Sequence, residues 1–470
     1  MASFYISAAH KSSGKTTVTL GLCRALKNRG LSVQPFKKGP DYIDPIWHAQ
    51  ASGQASYNLD FRLMNRPEIR SLYRRHASVA DISIVEGNKG LYDGMDIEGT
   101  DSNAAMAKEL NLPVILVIDT LGVTRGVAPL LLGYQAFDPT IRIAGVILNK
   151  VGGPRHEEKL RQVIARYTNI PVLGAIHKDS RLAIEERHLG LVPGNEDSAA
   201  ELRIQAIAEI VASRVDLDAL LRLTEESPPT SMPDSLSQKF DNPLWGNDHP
   251  PLRIAIARDR AFGFYYSEDI DTLRESGVEL ISLDTLNAAT LPDVDGLILG
   301  GGFPESFIPE LAANRSLHQH IRQAIDASLP AYAECGGLMY LSRTIRWNAQ
   351  QGDMVGLIPG DAVMGDRPVG RGYASFIETA ESPLVTLPGQ EIPAHEFHHS
   401  RLENLPDGLT YGYEVTRGHG IDGHHDGFVY KNLLAAYCHR RGSGERGWIA
   451  PFLAKARAYA QHRNAARMAA

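Results

Sequence analysis

A chain of 470 residues with 43% apolar and 22% charged side chains is an ordinary globular composition with room for two or three domains. Its formal charge of −7 and pI near 6.2 come with no basic block, so nucleic acid is excluded as the expected partner, and no apolar run is long enough to span a membrane. Cys23, Cys335 and Cys438 have neither metal-ligand nor paired-framework spacing, and a strand pattern starts almost at residue 1 without a signal peptide; both features point to a reducing cytoplasm.

The first element is an apolar strand over residues 4–8. Next comes Ala9-His10-Lys11-Ser12-Ser13-Gly14-Lys15-Thr16-Thr17, then a helical pattern through Val18, Leu20, Leu22, Ala25 and Leu26. Strand, small-residue loop and helix form the context of a phosphate-binding loop. Gly14, Lys15, Thr16 and Thr17 are expected at the phosphates of ATP, with the Thr16 hydroxyl on Mg²⁺. Ala9 replaces the usual first glycine, and Lys11 is an additional charge at the loop start.

Further strands are expected at 32–36, 82–85, 114–118 and 143–148, alternating with helices. That alternation predicts an α/β domain with a doubly wound parallel sheet, whose ligands lie beyond the carboxyl ends of the strands. The chemistry-bearing residues follow this rule. Asp41 and Asp44 lie in a Gly/Pro-bounded loop after the second strand, where they suit Mg²⁺ or act as turn and helix caps. Glu86 ends the third strand, where an unpartnered carboxylate would be costly to bury, so a metal ligand is the economical reading. Asp93, in Gly90-Leu91-Tyr92-Asp93-Gly94, meets metal or substrate or forms a turn. Asn149 ends the fifth strand, where its amide could read a purine edge. Residues 154–223 complete the domain with helices and short strands. Ser/Pro-rich sequence then marks a linker at 226–250 between domains at 1–225 and 251–460.

The second domain opens with a strand at 253–257, and another is expected at 278–283. Gly296-Leu297-Ile298-Leu299 then runs into Gly300-Gly301-Gly302-Phe303-Pro304-Glu305, whose backbone N–H groups suit an oxyanion. Pro330-Ala331-Tyr332-Ala333-Glu334-Cys335-Gly336-Gly337-Leu338-Met339 reads as a strand, a tight turn and a helix, the setting of a nucleophile elbow at Cys335; a buried structural thiol is the plain alternative. A thiol nucleophile needs a base, and His439, ending the run from Leu433, is placed for it. His395, His398 and His399 are available to substrate or metal, and the histidines at 419–425 sit in a Gly-rich loop.

Taken in order, Gly14-Lys15-Thr16, Lys38-Gly39-Pro40-Asp41-Tyr42-Ile43-Asp44-Pro45, Glu86-Gly87, Gly300-Gly301-Gly302-Phe303-Pro304-Glu305 and Glu334-Cys335-Gly336-Gly337 resemble the cobyrinic acid a,c-diamide synthase family along essentially the whole chain. The resemblance implies an N-terminal P-loop NTPase domain similar to dethiobiotin synthetase and a C-terminal class I glutamine amidotransferase domain, flavodoxin-like and of the triad type. It implies glutamine and a tetrapyrrole carboxylate as substrates, with a homodimer as a compatible assembly. By position it assigns Cys335 and His439 to catalysis, Lys15 and Thr16 to phosphate and Mg²⁺, and Asp41, Asp44, Glu86 and Asp93 to Mg²⁺, phosphate transfer or substrate. Together with the residues read above, Gly301, Gly302 and Gly336 are expected at the oxyanion, Thr16, Asp44 and Glu86 at Mg²⁺, and Asp41, Tyr42, Asp93 and His398 at the substrate.

The chain departs from the family at Asn88-Lys89, and at Arg440 and Arg441, where an acidic or second histidine partner is common after the base. The third triad member is therefore unassigned. The expected reaction is ATP-dependent amidation of the a and c carboxylates of cobyrinate, with sirohaem as the alternative ring. A ParA/MinD-like partitioning ATPase and a non-enzymatic tetrapyrrole carrier are the rival classes, but neither explains Cys335.

Overall fold

The computed structural model describes residues 2–187, 190–197, 199–225 and 250–469. The chain divides into two compact units, Met1–Ser237 and Gln238–Ala470. The expected linker at 226–250 lies outside the described residues apart from residue 250.

The first unit is a seven-stranded parallel sheet of β1 (Ala2–Ala8), β2 (Val33–Lys38), β3 (Tyr57–Leu59), β4 (Ile82–Glu86), β5 (Val114–Asp119), β6 (Ile143–Val151) and β7 (Val172–His177), in the order β3-β2-β4-β1-β5-β6-β7. Every residue of β1 is buried, as a strand covered on both faces requires. Phe4, Ile6 and Ala8 enter one apolar cluster with Leu20, Leu22 and Ile207, while Tyr5 enters another with Phe36, Leu72 and Leu116. With β4 on one side of β1 and β5 on the other, strand order reverses at β1. A crevice forms there beyond the strand ends, and the loop after β1 opens into it.

The second unit carries a nine-stranded mixed sheet. Its parallel strands run spatially as Glu279–Leu283, Arg253–Ala257, Gly296–Leu299, Ala331–Glu334 and Leu433–Ala436. In chain order this is 2-1-3-4-5, the flavodoxin-like arrangement. An antiparallel half continues the sheet through His425–Tyr430, Tyr411–Arg417, Gly370–Glu378 and Glu391–His398. The last helix runs Ile449–Ala469, and its Arg463 binds Asp293 at 2.9 Å and Asp295 at 2.6 Å. Among the described residues, no helix is long and apolar enough to cross a membrane.

Candidate active sites

In the first unit, α1 (Lys15–Asn28) starts directly after Gly14, whose φ of 91° lies in the left-handed region open to glycine. A side chain there would also collide with Asn149, since a Cβ would fall 2.1 Å from its Nδ2. The loop is held from behind by the end of β6. Asn149 Nδ2 donates to the Ser13 carbonyl at 2.9 Å, and Lys150 Nζ donates to the Ser12 carbonyl at 2.9 Å. In a trans peptide the N–H points opposite to the C=O, so turning these carbonyls toward β6 turns the following amides toward the crevice. The Asn149 carboxamide is buried and bonded to the loop, which it buttresses. Lys15 Nζ donates to the Lys89 carbonyl at 2.6 Å. Burial pushes the Lys15 amine down to about 8, against the pull of Glu86. Thr17 is half-buried in the first turn of α1.

Three oxygen donors meet beside this loop. The Thr16 hydroxyl donates to Glu86 at 2.7 Å and to Asp44 at 3.3 Å. Glu86 is 0% exposed, and burial alone would raise its pKa. Lys37 at 3.0 Å and His48 Nε2 at 2.6 Å outweigh burial and hold the carboxyl below its ordinary range. Lys37 also pairs with Asp44, so its ammonium sits among the donors. Sequence reading gave no role to Lys37 or His48. For Lys37 a signal existed, a cation on an apolar strand lying opposite Glu86 in the β2–β4 register; His48, inside α2 (Ile43–Ser52), had none.

The remaining candidates of this unit are at its edge. Asp41 Oδ1 accepts the Ile43 and Asp44 N–H groups at 2.9 and 3.0 Å and so caps α2, with Lys37 3.9 Å from its other oxygen. Burial raises the Asp41 carboxyl to about 6, helped by Asp44. Tyr42 is buried beside it. Asp93 is exposed and accepts the Gly90 N–H at 2.8 Å, as a turn residue does; it is not drawn into the Thr16–Asp44–Glu86 group. Among the described residues, no three His, Cys, Asp or Glu side chains are grouped for a metal. A cation here depends on the Thr16 hydroxyl and on oxygens brought by its ligand.

In the second unit, Cys335 stands between the Ala331–Glu334 strand and the Gly336–Leu341 helix with φ 46° and ψ −98°. A non-glycine residue held there stores about 1–3 kcal/mol of strain. The neighbouring Leu433–Ala436 strand anchors the elbow, its Ala436 carbonyl accepting the Cys335 N–H at 2.7 Å. The turn needs Gly337, because a Cβ there would fall 2.1 Å from the Leu299 carbonyl oxygen. Gly301 lies against the base, where a Cβ would sit 2.7 Å from His439 Cε1, and Gly336 lies against Gly302. Gly300 was included in the oxyanion backbone, but its N–H donates to the Tyr265 hydroxyl at 2.9 Å and is committed there.

His439 is hydrogen-bonded to Cys335, and its Nδ1 lies 3.0 Å from Glu334 Oε2. Burial opposes the imidazolium, yet the bonds to Cys335 and Glu334 raise His439 to about 10. His395 stacks on His439 at 4.9 Å between ring centres, and the two residues exchange backbone hydrogen bonds of 3.0 and 2.7 Å. Burial and the neighbouring His439 keep His395 well below its ordinary value.

His398 is an interior residue. It is 2% exposed, Nδ1 meets the Ser400 carbonyl at 2.8 Å, Nε2 lies 3.7 Å from Glu396, and the ring stacks on Tyr437 at 4.0 Å. Its ring is packed in the interior of the second unit. His399 Nδ1 meets the Gly365 carbonyl at 3.1 Å. The two arginines after the base are anchors. Arg440 is buried against Glu378 at 2.7 Å and the Thr386 hydroxyl at 2.6 Å, and Arg441 pairs with Glu268 at 2.6 Å.

Two family models match the chain: residues 6–192 match a CobQ/CobB/MinD/ParA nucleotide binding domain, and residues 253–444 match a CobB/CobQ-like glutamine amidotransferase domain. Among curated relatives, the cobyrinate a,c-diamide synthase of Magnetococcus marinus is 45% identical over 454 residues, 96% of each chain. That of Methanosarcina acetivorans is 40% identical over 466 residues, 94% of this chain and 92% of the relative. That of Listeria monocytogenes is 40% identical over 443 residues, 92% of this chain and 95% of the relative.

Proposed function

The chain belongs to the cobyrinate a,c-diamide synthase family, and from that footing we propose that it amidates the a and c carboxylates of cobyrinate, using ATP and glutamine or ammonia. The observation that carries the reading is the presence on one chain of a phosphate loop with its Thr16–Asp44–Glu86 oxygens and a strained thiol elbow bonded to a histidine. Three cysteines that stay unpaired suit a reducing cytoplasm.

In the glutaminase half, Cys335 Sγ attacks the side-chain amide carbon of glutamine. His439 passes its proton to the leaving nitrogen, which departs as ammonia. Amides of the Gly301–Gly302 and Gly336 backbone are the candidate donors to the oxyanion. Water then opens the thioester and releases glutamate. In the synthetase half, a ring carboxylate oxygen attacks the γ-phosphorus of ATP and ADP leaves. Ammonia attacks the resulting acyl phosphate, phosphate leaves, and an amide remains. Activation is needed because a carboxylate is a poor electrophile.

Lys15 and the amides of the loop bind the phosphates, and Lys37 holds positive charge between Asp44 and Glu86. The hard oxygen donors Thr16, Asp44 and Glu86 fit Mg²⁺, which when bound neutralises charge on a transferring phosphoryl group. Asp41 and Tyr42, beside this group, and Asp93, in the adjoining loop, are assigned to the substrate.

The test is a side-by-side incubation of cobyrinate and sirohaem with ATP, Mg²⁺ and glutamine, read by mass for OH-to-NH₂ exchange. Two exchanges on cobyrinate and none on sirohaem are expected, and neither should occur without ATP. Exchange on sirohaem alone overturns the choice of ring. No exchange on either ring removes the substrate class.

A further inference from the structure

We propose that Glu334 is the positioning residue of the glutaminase, completing with Cys335 and His439 a triad in which nucleophile and orienting carboxylate are consecutive residues. The inference rests on the glutaminase reading above. It starts from a gap, because Arg441 occupies the position two residues after the base where an acidic partner is common. Arg441 faces away to Glu268, and Arg440 to Glu378.

The gap is filled from the neighbouring strand. Glu334 and Ala436 are register partners in the parallel pair that carries both the elbow and the run leading to His439. From that strand end, Glu334 Oε2 reaches His439 Nδ1 at 3.0 Å. Its other oxygen accepts the Tyr332 hydroxyl at 2.6 Å and the Arg440 N–H at 3.0 Å. Both oxygens are therefore fixed, and the side chain is buried.

A buried carboxylate needs a compensating charge. Tyr332 and a backbone N–H are neutral, and the Arg440 guanidinium is spent on Glu378, so protonated His439 supplies that charge. Holding the proton at Nδ1 leaves Nε2 as the nitrogen for the Cys335 thiol. The neighbouring ring of His395 does not compete for this role. It is stacked on the face of His439 and bonds Tyr266 at 3.2 Å, so it offers no anion.

The experiment compares Glu334→Gln and Glu334→Asp with wild type in the full-length chain. Glutaminase kcat and KM are measured, together with the pH profile of Cys335 alkylation by iodoacetamide. Glutamine is isosteric but cannot balance an imidazolium, so E334Q should lower kcat by about 10²–10⁴-fold, with KM for glutamine within about threefold. The acid limb of the alkylation profile should move to higher pH by about one unit, because loss of the anion lowers the proton affinity of His439 and with it the support for the thiolate. E334D keeps the charge and should recover part of kcat and return the limb toward wild type.

Ammonia-dependent amidation reports whether the rest of the chain is folded. A kcat within about threefold of wild type overturns the proposal. So does a fall in kcat with an unmoved limb and no recovery in E334D, the mark of a purely structural residue. Wild type that hydrolyses no glutamine removes the glutaminase reading instead; the alkylation limb then still judges the link from Glu334 through His439 to Cys335.

Discussion

Glu86 and Glu334 are both buried carboxylates at the carboxyl ends of parallel strands, and their surroundings differ in kind. Glu86 is met by an ammonium, an imidazole and a hydroxyl, with Asp44 on the same Lys37. Glu334 is met by one imidazole, one phenol and one backbone N–H, with no second carboxylate in the group. Clustered carboxylates around a cation prepare a place for more positive charge. A lone carboxylate against a histidine fixes where a proton sits. The strand end supplies burial and direction in both cases, and the segments that fold over it decide the chemistry.

The sharpest way to test that contrast is to remove one reactive group from each unit. Cys335→Ala should abolish glutamine-dependent amidation, a loss of about 10⁴-fold or more, while high ammonia still supports product. Lys15→Ala should lose product with either nitrogen source. Product yields with both nitrogen sources, measured on both variants, give the pattern; glutamine-dependent turnover in C335A would dissolve the division of labour.

Glu86→Gln probes the cation-preparing carboxylate and should act more weakly on folding than on chemistry. It leaves Lys37 with Asp44 and a distant Asp41, and uncompensated burial at such a pair costs about 3–5 kcal/mol at most. Urea unfolding would read that loss. Amidation with ammonia should fall by more than the fraction unfolded accounts for and should respond to Mg²⁺ concentration. Full activity at every Mg²⁺ concentration would make Glu86 a structural residue like any other buried acid.

The smallest effect is expected at the buttress. Asn149→Ala removes one hydrogen bond to the phosphate loop, worth about 1–1.5 kcal/mol, so the KM for ATP should rise about tenfold. Hydrolysis of glutamine in the same variant should stay at the wild-type rate. An unchanged KM for ATP would mean that the loop holds its shape without β6.

Much of this architecture is written in local patterns. The five apolar runs of the first unit are strands because continuous apolar sequence suits a sheet covered on both faces. β3 escapes such a reading because a strand of three residues has no period, and β7 was only implied within the stretch 154–223. The small-residue elbow at Cys335 is legible because only small neighbours fit where Gly337 meets Leu299. What stayed hidden depends on pairing across the sheet. Glu334 reads as part of a cysteine motif until strand register brings it to His439, and the bond from Asn149 to the loop after β1 joins residues 136 positions apart. The burial of His398 and its stack on Tyr437 likewise depend on a segment distant in sequence.

The buried Arg440–Glu378 pair has a consequence for how the second unit assembles. Glu378 and Thr386 belong to the antiparallel half of the sheet or the turn after it, whereas Cys335 lies in the parallel half. A chain that has formed only the parallel strands would hold Arg440 without its partner, at a cost of about 3–5 kcal/mol if the arginine is buried as in the native state. Such a species would be populated roughly 10²–10⁴-fold less than one that leaves residue 440, and the adjacent His439, undocked. Docking of the base is thereby tied to the antiparallel half, and a chain lacking that half would carry the thiol without the histidine in place.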